Sequence, residues 1–344
     1  MHIQIAQRLR PFSHTPGTRV LVPGTARCLE VFPALVREYS LKKGEAFLLR
    51  EVPLSIKGPV RQFTITQDLE KGRVVVWGHA QDGFYRFYAF KDAEGSIAYG
   101  QDKGPARLFA QTSSQPTFEW APSERLSLGS HKKQEWPQLF RQMDLATILP
   151  IWLRLGQTLP SGPWTAKSGT AQLLQLLEKA AASGATESVL PLLQQLLMTG
   201  FDGLLVPRLT DSDFQGIDLP AINPSESPLA LLAKGASLIR GLFFEEQEKG
   251  LSLLPLLPPP FHSGRYLGIA TQDGSLLNFE WSKKRLRRVE FTPHTDQSRL
   301  LYTKGGLKSC RVRTRGDSRG ERCSLSAPLP LQPGVQYFFD NFQK

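Results

Sequence analysis

The hydrophobic pattern changes period twice along the chain. Up to about residue 125 it alternates. In "RQFTITQDLEKGRVVVWGHAQDGFYRFYAF" the runs "FTIT", "RVVVW" and "FYRFYAF" read as strands separated by Gly, Asp and Lys turn residues. Within the last run Phe84, Arg86 and Tyr88 take one face, and Tyr85, Phe87 and Ala89 the other. Aromatics on both faces predict a strand held between two layers. The opening "MHIQIAQRLRPF" alternates Ile3 and Ile5 with polar residues, which predicts another strand.

From about 126 to 249 the period becomes helical. "TAQLLQLLEKAAA" repeats Leu173, Leu174, Leu177 and Ala180 or Ala181 on one face. "TESVLPLLQQLLM" predicts a second helix, with Thr186 and Glu187 as its start and Gly200 as its stop. "SPLALLAKGASLIRGLFFEEQEKG" predicts a third, with Pro228 at its first position and a broad apolar stripe from Leu231 to Leu242. "KQEWPQLFRQMDLATILPIWLRLGQ" supplies one or two more, interrupted at Pro137 and Pro150.

Beyond 250 the pattern alternates again. "GSLLNFEW" and "RLRRVEF" flank "SKK" as a hairpin, and "RLLYTK", "LKSCRVRT" and "VQYFFDNF" are further strands. Between the helices and this β region lies "GLSLLPLLPPPF", with four prolines from Pro255 to Pro260. It is too short and too broken to span a membrane, which takes roughly 20 apolar residues. Leu253, Leu254, Leu256 and Leu257 are expected to pack into the seam between helices and sheet, on an extended path set by the prolines.

The fold expected is therefore multidomain β–α–β. It comprises an N-terminal β-sandwich (1–125), a short α-helical middle domain (126–250) and a C-terminal β-sandwich with a basic face (251–344).

Composition changes this picture in one respect. The 344 residues carry a net charge of +11 with 40% apolar content. Between Lys283 and Arg322 there are 13 Lys and Arg against Glu290, Asp296, Asp317 and Glu321, so most of the surplus lies in one C-terminal block. If the two strands there pair, Arg285 and Arg287 join Arg311, Arg313 and Arg315 in a ridge that fits phosphates or acidic sugars. A solvated basic sheet face is the plainer account. Cys28, Cys310 and Cys323 have no metal-ligand spacing and read as reduced thiols. No signal peptide or membrane span is found, so a cytoplasmic location and no membrane insertion are expected. No cofactor or metal is implied, and the sequence specifies no oligomeric state.

The junction also carries a resemblance. Leu253-Leu254-Pro255, Leu257-Pro258, Ser263-Gly264, Gly268, Asp273-Gly274, Trp281, Lys284 and Leu286 resemble the barrel-to-β-domain junction of α-L-fucosidase and related (α/α)6-barrel glycoside hydrolases. The resemblance covers roughly residues 228–290. It implies a helical toroid between β domains and a carbohydrate substrate. The chain departs from that pattern where the family carries a catalytic Asp-Gly-Asn-Phe-Gly-like motif: here the stretch is "INPSESPLALLAKG", whose nearest carboxylate, Glu226, has the wrong spacing. The middle segment also holds four or five helices where a closed barrel needs twelve, so the toroid is incomplete and no catalytic residue carries over.

Candidate chemistry is spread thinly. A glycosidase uses two carboxylates about 5 to 9 Å apart, and "FDGLLVPRLTDSDFQGIDLP" is the densest supply, with Asp202, Asp211 and Asp213 as candidates. Asp211 is equally explained as a turn cap. Trp77, His79 and Asp82 could line a sugar pocket, as could His131 and Trp136 at the start of the helices, where Ser130 is the expected cap. A strand-end tryptophan and a turn histidine are the structural alternative. There is no nucleophile elbow, Walker loop, dinucleotide fingerprint or zinc-protease motif. Three functions are thus expected: a catalytically degenerate, glycoside-hydrolase-like protein that binds carbohydrate, a polyanion-binding or scaffolding protein, or an active glycosidase with an unfamiliar carboxylate pair.

Overall fold

The computed structural model describes residues 2–105, 108–109, 113, 124–160, 164–303, 306–317 and 319–344. The chain is β-rich, with sheet regions at both ends and helices between them. Nine described strands come first: β1 (Phe12–Ser13), β2 (Thr18–Leu21), β3 (Arg27–Phe32), β4 (Leu35–Ser40), β5 (Phe47–Pro53), β6 (Arg61–Asp68), β7 (Arg73–Ala80), β8 (Gly83–Lys91) and β9 (Ile97–Lys103). They form one sheet in the order β2-β3-β4-β5 and a second in the order β1-β6-β7-β8-β9. Buried polar groups bridge the two: Tyr99 donates to Glu38 at 2.8 Å, and the Gln67 amide donates to the Leu21 carbonyl at 2.8 Å.

The expectation for β8 holds on one face. Tyr85, Phe87 and Ala89 are buried, but Phe84, Arg86 and Tyr88 on the other face are only half-buried. Among the described residues no second layer covers that face as a core would. Instead Arg73 lies 4.8 Å over the Tyr88 ring, and Arg86 pairs with Asp102 at 2.6 Å.

The next strand, β10 (Arg125–Ser127), already belongs to the C-terminal sheet. The helical region follows: α1 (Trp136–Arg141), α2 (Leu145–Gln157), α3 (Ala171–Ala182), α4 (Thr186–Gly200), a short hairpin of β11 (Phe201–Asp202) and β12 (Val206–Pro207), and α5 (Leu229–Phe243). The start and stop read for α4 coincide with the observed ones. Pro150 does not interrupt α2, which runs through it with almost every residue buried. Packing of an apolar face outweighs the single hydrogen bond that proline removes. Ser130 does not cap a helix either; its hydroxyl bonds Thr147 at 2.6 Å.

Helix α5 is shorter than its pattern predicts. After Phe243 the chain turns into β13 (Phe244–Gln247), paired with β14 (Gly250–Leu253). Phe244 is buried, while "EEQEKG" alternates outward and turns, so the helical period ends inside the apolar run. The remaining strands are β15 (Gly264–Ala270), β16 (Leu276–Ser282), β17 (Arg285–Thr292), β18 (Gln297–Thr303), β19 (Ser309–Thr314), β20 (Glu321–Ser324), β21 (Leu329–Leu331) and β22 (Tyr337–Gln343). They build a seven-stranded sheet, β10-β15-β16-β17-β22-β19-β20, and a four-stranded sheet, β13-β14-β18-β21.

The leucine–proline run has two parts. Its first residues form β14, which pairs in parallel with β18. Leu253 and Leu254 are buried, while Leu256 and Leu257 are half-buried against the same core. The prolines follow the strand and carry the chain to β15.

Residues 2–10 do not form the expected strand. They run as an extended strap along the C-terminal sheet: the Ile3 N–H donates to Glu290 at 2.8 Å, Arg265 donates to the Gln4 carbonyl at 2.9 Å, and Arg125 donates to the Gln7 carbonyl at 2.8 Å. Side chains satisfy their backbone groups where a neighbouring strand would otherwise do so.

Turn chemistry fixes the hairpin of β15 and β16. Gly274 takes φ +83°, and Asp273 accepts hydrogen bonds from the hydroxyls of Thr271 at 2.5 Å, Ser275 at 2.8 Å and Thr295 at 3.2 Å. Burial pushes the Asp273 carboxyl upward, but these hydrogen bonds outweigh it and bring it down to about 2. Its stabilising contribution is complete above the ordinary carboxylate range and is lost as pH falls from about 4 through about 2. Asp273→Asn is expected to lower stability by up to about 2 kcal/mol at pH 7. The deficit relative to the unsubstituted chain should shrink towards pH 2, as followed by urea melts across that range.

Candidate functional site

A cleft of about 420 Å³ forms where the first two strands, α1 and the β11–β12 hairpin meet. One wall is the tight turn Thr15-Pro16-Gly17 between β1 and β2. Gly17 takes φ +79°, which side-chain-bearing residues rarely adopt, and the Ser13 and Thr18 hydroxyls bond each other at 2.9 Å. The opposite wall is the turn after β11. Gly203, at φ +47°, lets it rest directly on β2: a Cβ there would fall 2.1 Å from the Arg19 carbonyl oxygen. The Leu204 N–H donates to that same oxygen at 2.8 Å.

This docking brings Asp202 beside Arg19, with Nη1 3.6 Å from Oδ2. Asp213 reaches the same cleft from the following loop and pairs with Arg208 at 2.5 Å. Arg208 also donates to the carbonyls of Thr199 and Met198, which fixes it to the C-terminal end of α4. The third wall is aromatic. Trp136 and Phe140 of α1 lie with ring centroids 6.3 Å apart, and Phe201 packs edge-on against Trp152 at 4.7 Å.

Three of the residues singled out in the sequence therefore meet: Asp202, Asp213 and Trp136. Their arginine partners, Arg19 and Arg208, carry no signal in the linear pattern. The cleft combines the half-buried Phe140 ring, backed by the buried Trp136 and Phe201, with three hydroxyls (Ser13, Thr15, Thr18) and two carboxylate–guanidinium pairs. An apolar wall with a few convergent polar groups is the composition of a small-molecule site.

The other candidates lie apart from it. Asp211 caps a turn, accepting the Gln215 N–H at 2.8 Å, and does not line the cleft. Trp77 and His79 stand on the outer face of β7, with Phe84 at ring distances of 6.1 and 5.1 Å. Asp82 is exposed in the adjoining turn, and His131 is exposed ahead of α1. Glu226 serves as a structural tie: its carboxylate accepts the backbone N–H groups of Lys167 and Ser168 and the Ser168 hydroxyl at 2.6 Å. Partial burial raises its carboxyl, and these bonds more than reverse that.

The arginine ridge is broken. β17 and β19 do not pair, because β22 lies between them. Asp340 of β22 takes Arg311 at 2.7 Å and Arg313 at 2.5 Å. Burial alone would raise the Asp340 carboxyl, but the two guanidinium groups hold it below the ordinary range. Arg313 and Arg315 line a second cleft of about 440 Å³ that also contains the buried Glu290 and Asp340 and the exposed Asp317. Its charge is mixed rather than uniformly positive. Uncompensated charge sits instead at the β16–β17 turn and beside it, where Lys283, Lys284, Arg285 and Arg287 are exposed and carry no ion pair among the described residues. Both lysines take positive φ, 52° and 59°, as a two-residue hairpin turn requires.

No group of three or more His, Cys, Asp or Glu among the described residues could hold a metal ion. No described helix is long and apolar enough to cross a membrane. No protein-family model matches the chain, and no curated protein matches it.

Proposed function

We propose that this chain is a carbohydrate-binding protein of glycoside-hydrolase-like, multidomain architecture that does not hydrolyse its ligand. Its five described helices are read as an incomplete α/α toroid between two β-sandwiches, and its setting as the cytoplasm. The observation that carries the binding function is the 420 Å³ cleft, whose lining sets the half-buried Phe140 beside hydroxyls and paired charges. The Phe140 ring offers an apolar surface to a sugar while the polar groups orient its hydroxyls. The absence of cleavage is proposed because Asp202 and Asp213 each already face an arginine, whereas hydrolysis needs one carboxyl free to give up a proton.

The test is retention on a glycan array at low and high salt. Salt-resistant binding of one neutral glycan class is expected, weakened at least about tenfold by Asp202→Asn, which corresponds to about 1.4 kcal/mol. Binding indifferent to Asp202→Asn and to Arg19→Ala would remove the cleft from the function. Release of reducing sugar that vanishes with Asp202→Asn or Asp213→Asn would make the protein an active glycosidase.

A second reading, polyanion binding, is favoured by four cations from Lys283 to Arg287 that carry no ion pair among the described residues. It predicts binding of an acidic polymer that falls steeply with salt. Lys284→Glu and Arg287→Glu are expected to abolish it, while Arg311→Gln, at an already neutralised position, changes it little.

A further inference from the structure

Cys310 and Cys323 are 13 positions apart in the chain but directly opposite in the sheet, as a register pair between β19 and β20. Residues opposed in an antiparallel pair project from the same face with Cα atoms about 4.5–5.5 Å apart. A disulfide spans Cα separations of about 4.4–6.8 Å. Both residues are free thiols; Cys310 is buried and Cys323 half-exposed. Burial pushes the Cys310 thiol up to about 12, and the charge of Cys323 adds to that rise, which independently marks the two as neighbours. Cys28 is far from both in the pairing order, buried in β3 opposite Leu21 and Tyr39.

We propose that Cys310 and Cys323 form a reversible dithiol–disulfide site that exchanges with small-molecule disulfides and staples β20 to β19. The more exposed Cys323 reacts first. Its thiolate attacks one sulfur of RS–SR, that S–S bond breaks, and RS⁻ leaves and takes up a proton. The Cys310 thiolate then attacks the Cys323 sulfur of the mixed disulfide and expels the second RS⁻, which is protonated in turn. Two cysteine thiols are oxidised and one RS–SR is reduced to two RSH.

The bond formed is a labile one. The Leu325 N–H donates to the Lys308 carbonyl at 2.8 Å. By the alternation of an antiparallel ladder, Cys310 and Cys323 then form a hydrogen-bonded pair, whose side chains stand wider apart than those of its neighbours. Closing that gap strains the link and makes it easy to reduce. β20 is the edge strand of the seven-stranded sheet, and the turn joining it to β19 carries Arg315 and Asp317 into the mixed-charge cleft. Oxidation therefore restrains one wall of that cleft.

The experiment incubates the full chain with glutathione disulfide and maps its peptides without reduction. A Cys310–Cys323 linked peptide is expected, reversed by dithiothreitol, absent in Cys323→Ser and retained in Cys28→Ser. Its rate of formation should rise about tenfold per pH unit over the neutral range, since the thiolate is the reacting form. Tryptic cleavage at Arg315 and Arg319 should slow by at least about fivefold in the oxidised chain, because a staple suppresses local opening. Accumulation of Cys323 as a glutathione mixed disulfide, with Cys310 still open to alkylation after unfolding, would overturn the proposal. So would recovery of both cysteines as free thiols. Either result is read on the unsubstituted chain and needs no variant to fold.

Discussion

Replacing Glu124 by alanine is expected to destabilise the protein by about 3 kcal/mol, the lower end of what breaking a buried ion pair costs. Glu124 precedes β10 and is 12% exposed at its side chain. It gathers three elements: Arg240 of α5 donates to it at 2.8 Å, Gln157 of α2 at 3.0 Å, and the Tyr266 hydroxyl of β15 through a short hydrogen bond. Arg240 also lies 4.7 Å over the Phe244 ring and donates to the Ala270 carbonyl. Without Glu124 a partly buried guanidinium and a buried phenol lose their shared acceptor, and Arg240, 29% exposed, is only partly compensated by water. Glu124→Gln keeps an acceptor without the charge and should recover part of the loss. Urea unfolding of the two variants checks this, with the midpoint moving and the slope unchanged. Tyr266 supplies a second readout. Burial, then the charge and hydrogen bond of Glu124, raise its phenol well above 10. Its ultraviolet titration should move to lower pH in Glu124→Gln.

The second large effect lies where α2 crosses α5. Trp152 is fully buried, and its indole N–H donates to the Leu232 carbonyl at 3.3 Å. Gly235 and Gly156 allow that approach. A Cβ on Gly235 would stand 2.4 Å from the Trp152 ring, and one on Gly156 would stand 2.4 Å from the Leu232 carbonyl oxygen. Trp152→Ala is expected to cost about 3–5 kcal/mol through the cavity it leaves. Gly235→Ala should cost about 1–3 kcal/mol by overpacking, despite alanine's better helix propensity. The two act on one space, so the double variant should be more stable than the sum of the single losses predicts, by at least about 0.5 kcal/mol. Strict additivity in equilibrium unfolding would mean that the glycine is not held by the ring.

The sequence alone was most informative where one element decides its own boundaries. Thr186, Glu187 and Gly200 bracket α4 because end signals act within a single turn of helix. The "SKK" turn between β16 and β17 was legible for the same reason, with its neighbours alternating in and out. The pattern misled where a distant partner overrode it. Phe244 leaves the helical stripe because β14 offers a strand to pair with. Ile3 and Ile5 alternate like a strand, yet the backbone around them is satisfied by Glu290 and Arg265 from the far end of the chain.

The candidate site divides in the same way. Asp202, Asp213 and Trp136 could be named from residue type and from the irregular backbone around them. Their meeting with Arg19 depends on Gly203 touching β2, a contact across more than 180 positions that no local period encodes. The arginines of β19 alternate as read, but strand order set their partner: β22 intervenes, and Asp340 neutralises two of them. Likewise, 13 residues of separation say nothing of two cysteines facing each other. The sequence by itself determined the β–α–β order, the boundaries of α4 and of the β16–β17 hairpin, and where positive charge is concentrated, because these follow from side-chain period and local turn chemistry. Only the tertiary structure decided which strands are neighbours, which charges cancel and where clefts open. Backbone hydrogen bonds are nearly blind to side-chain identity, so pairing is chosen by burial summed over the whole chain.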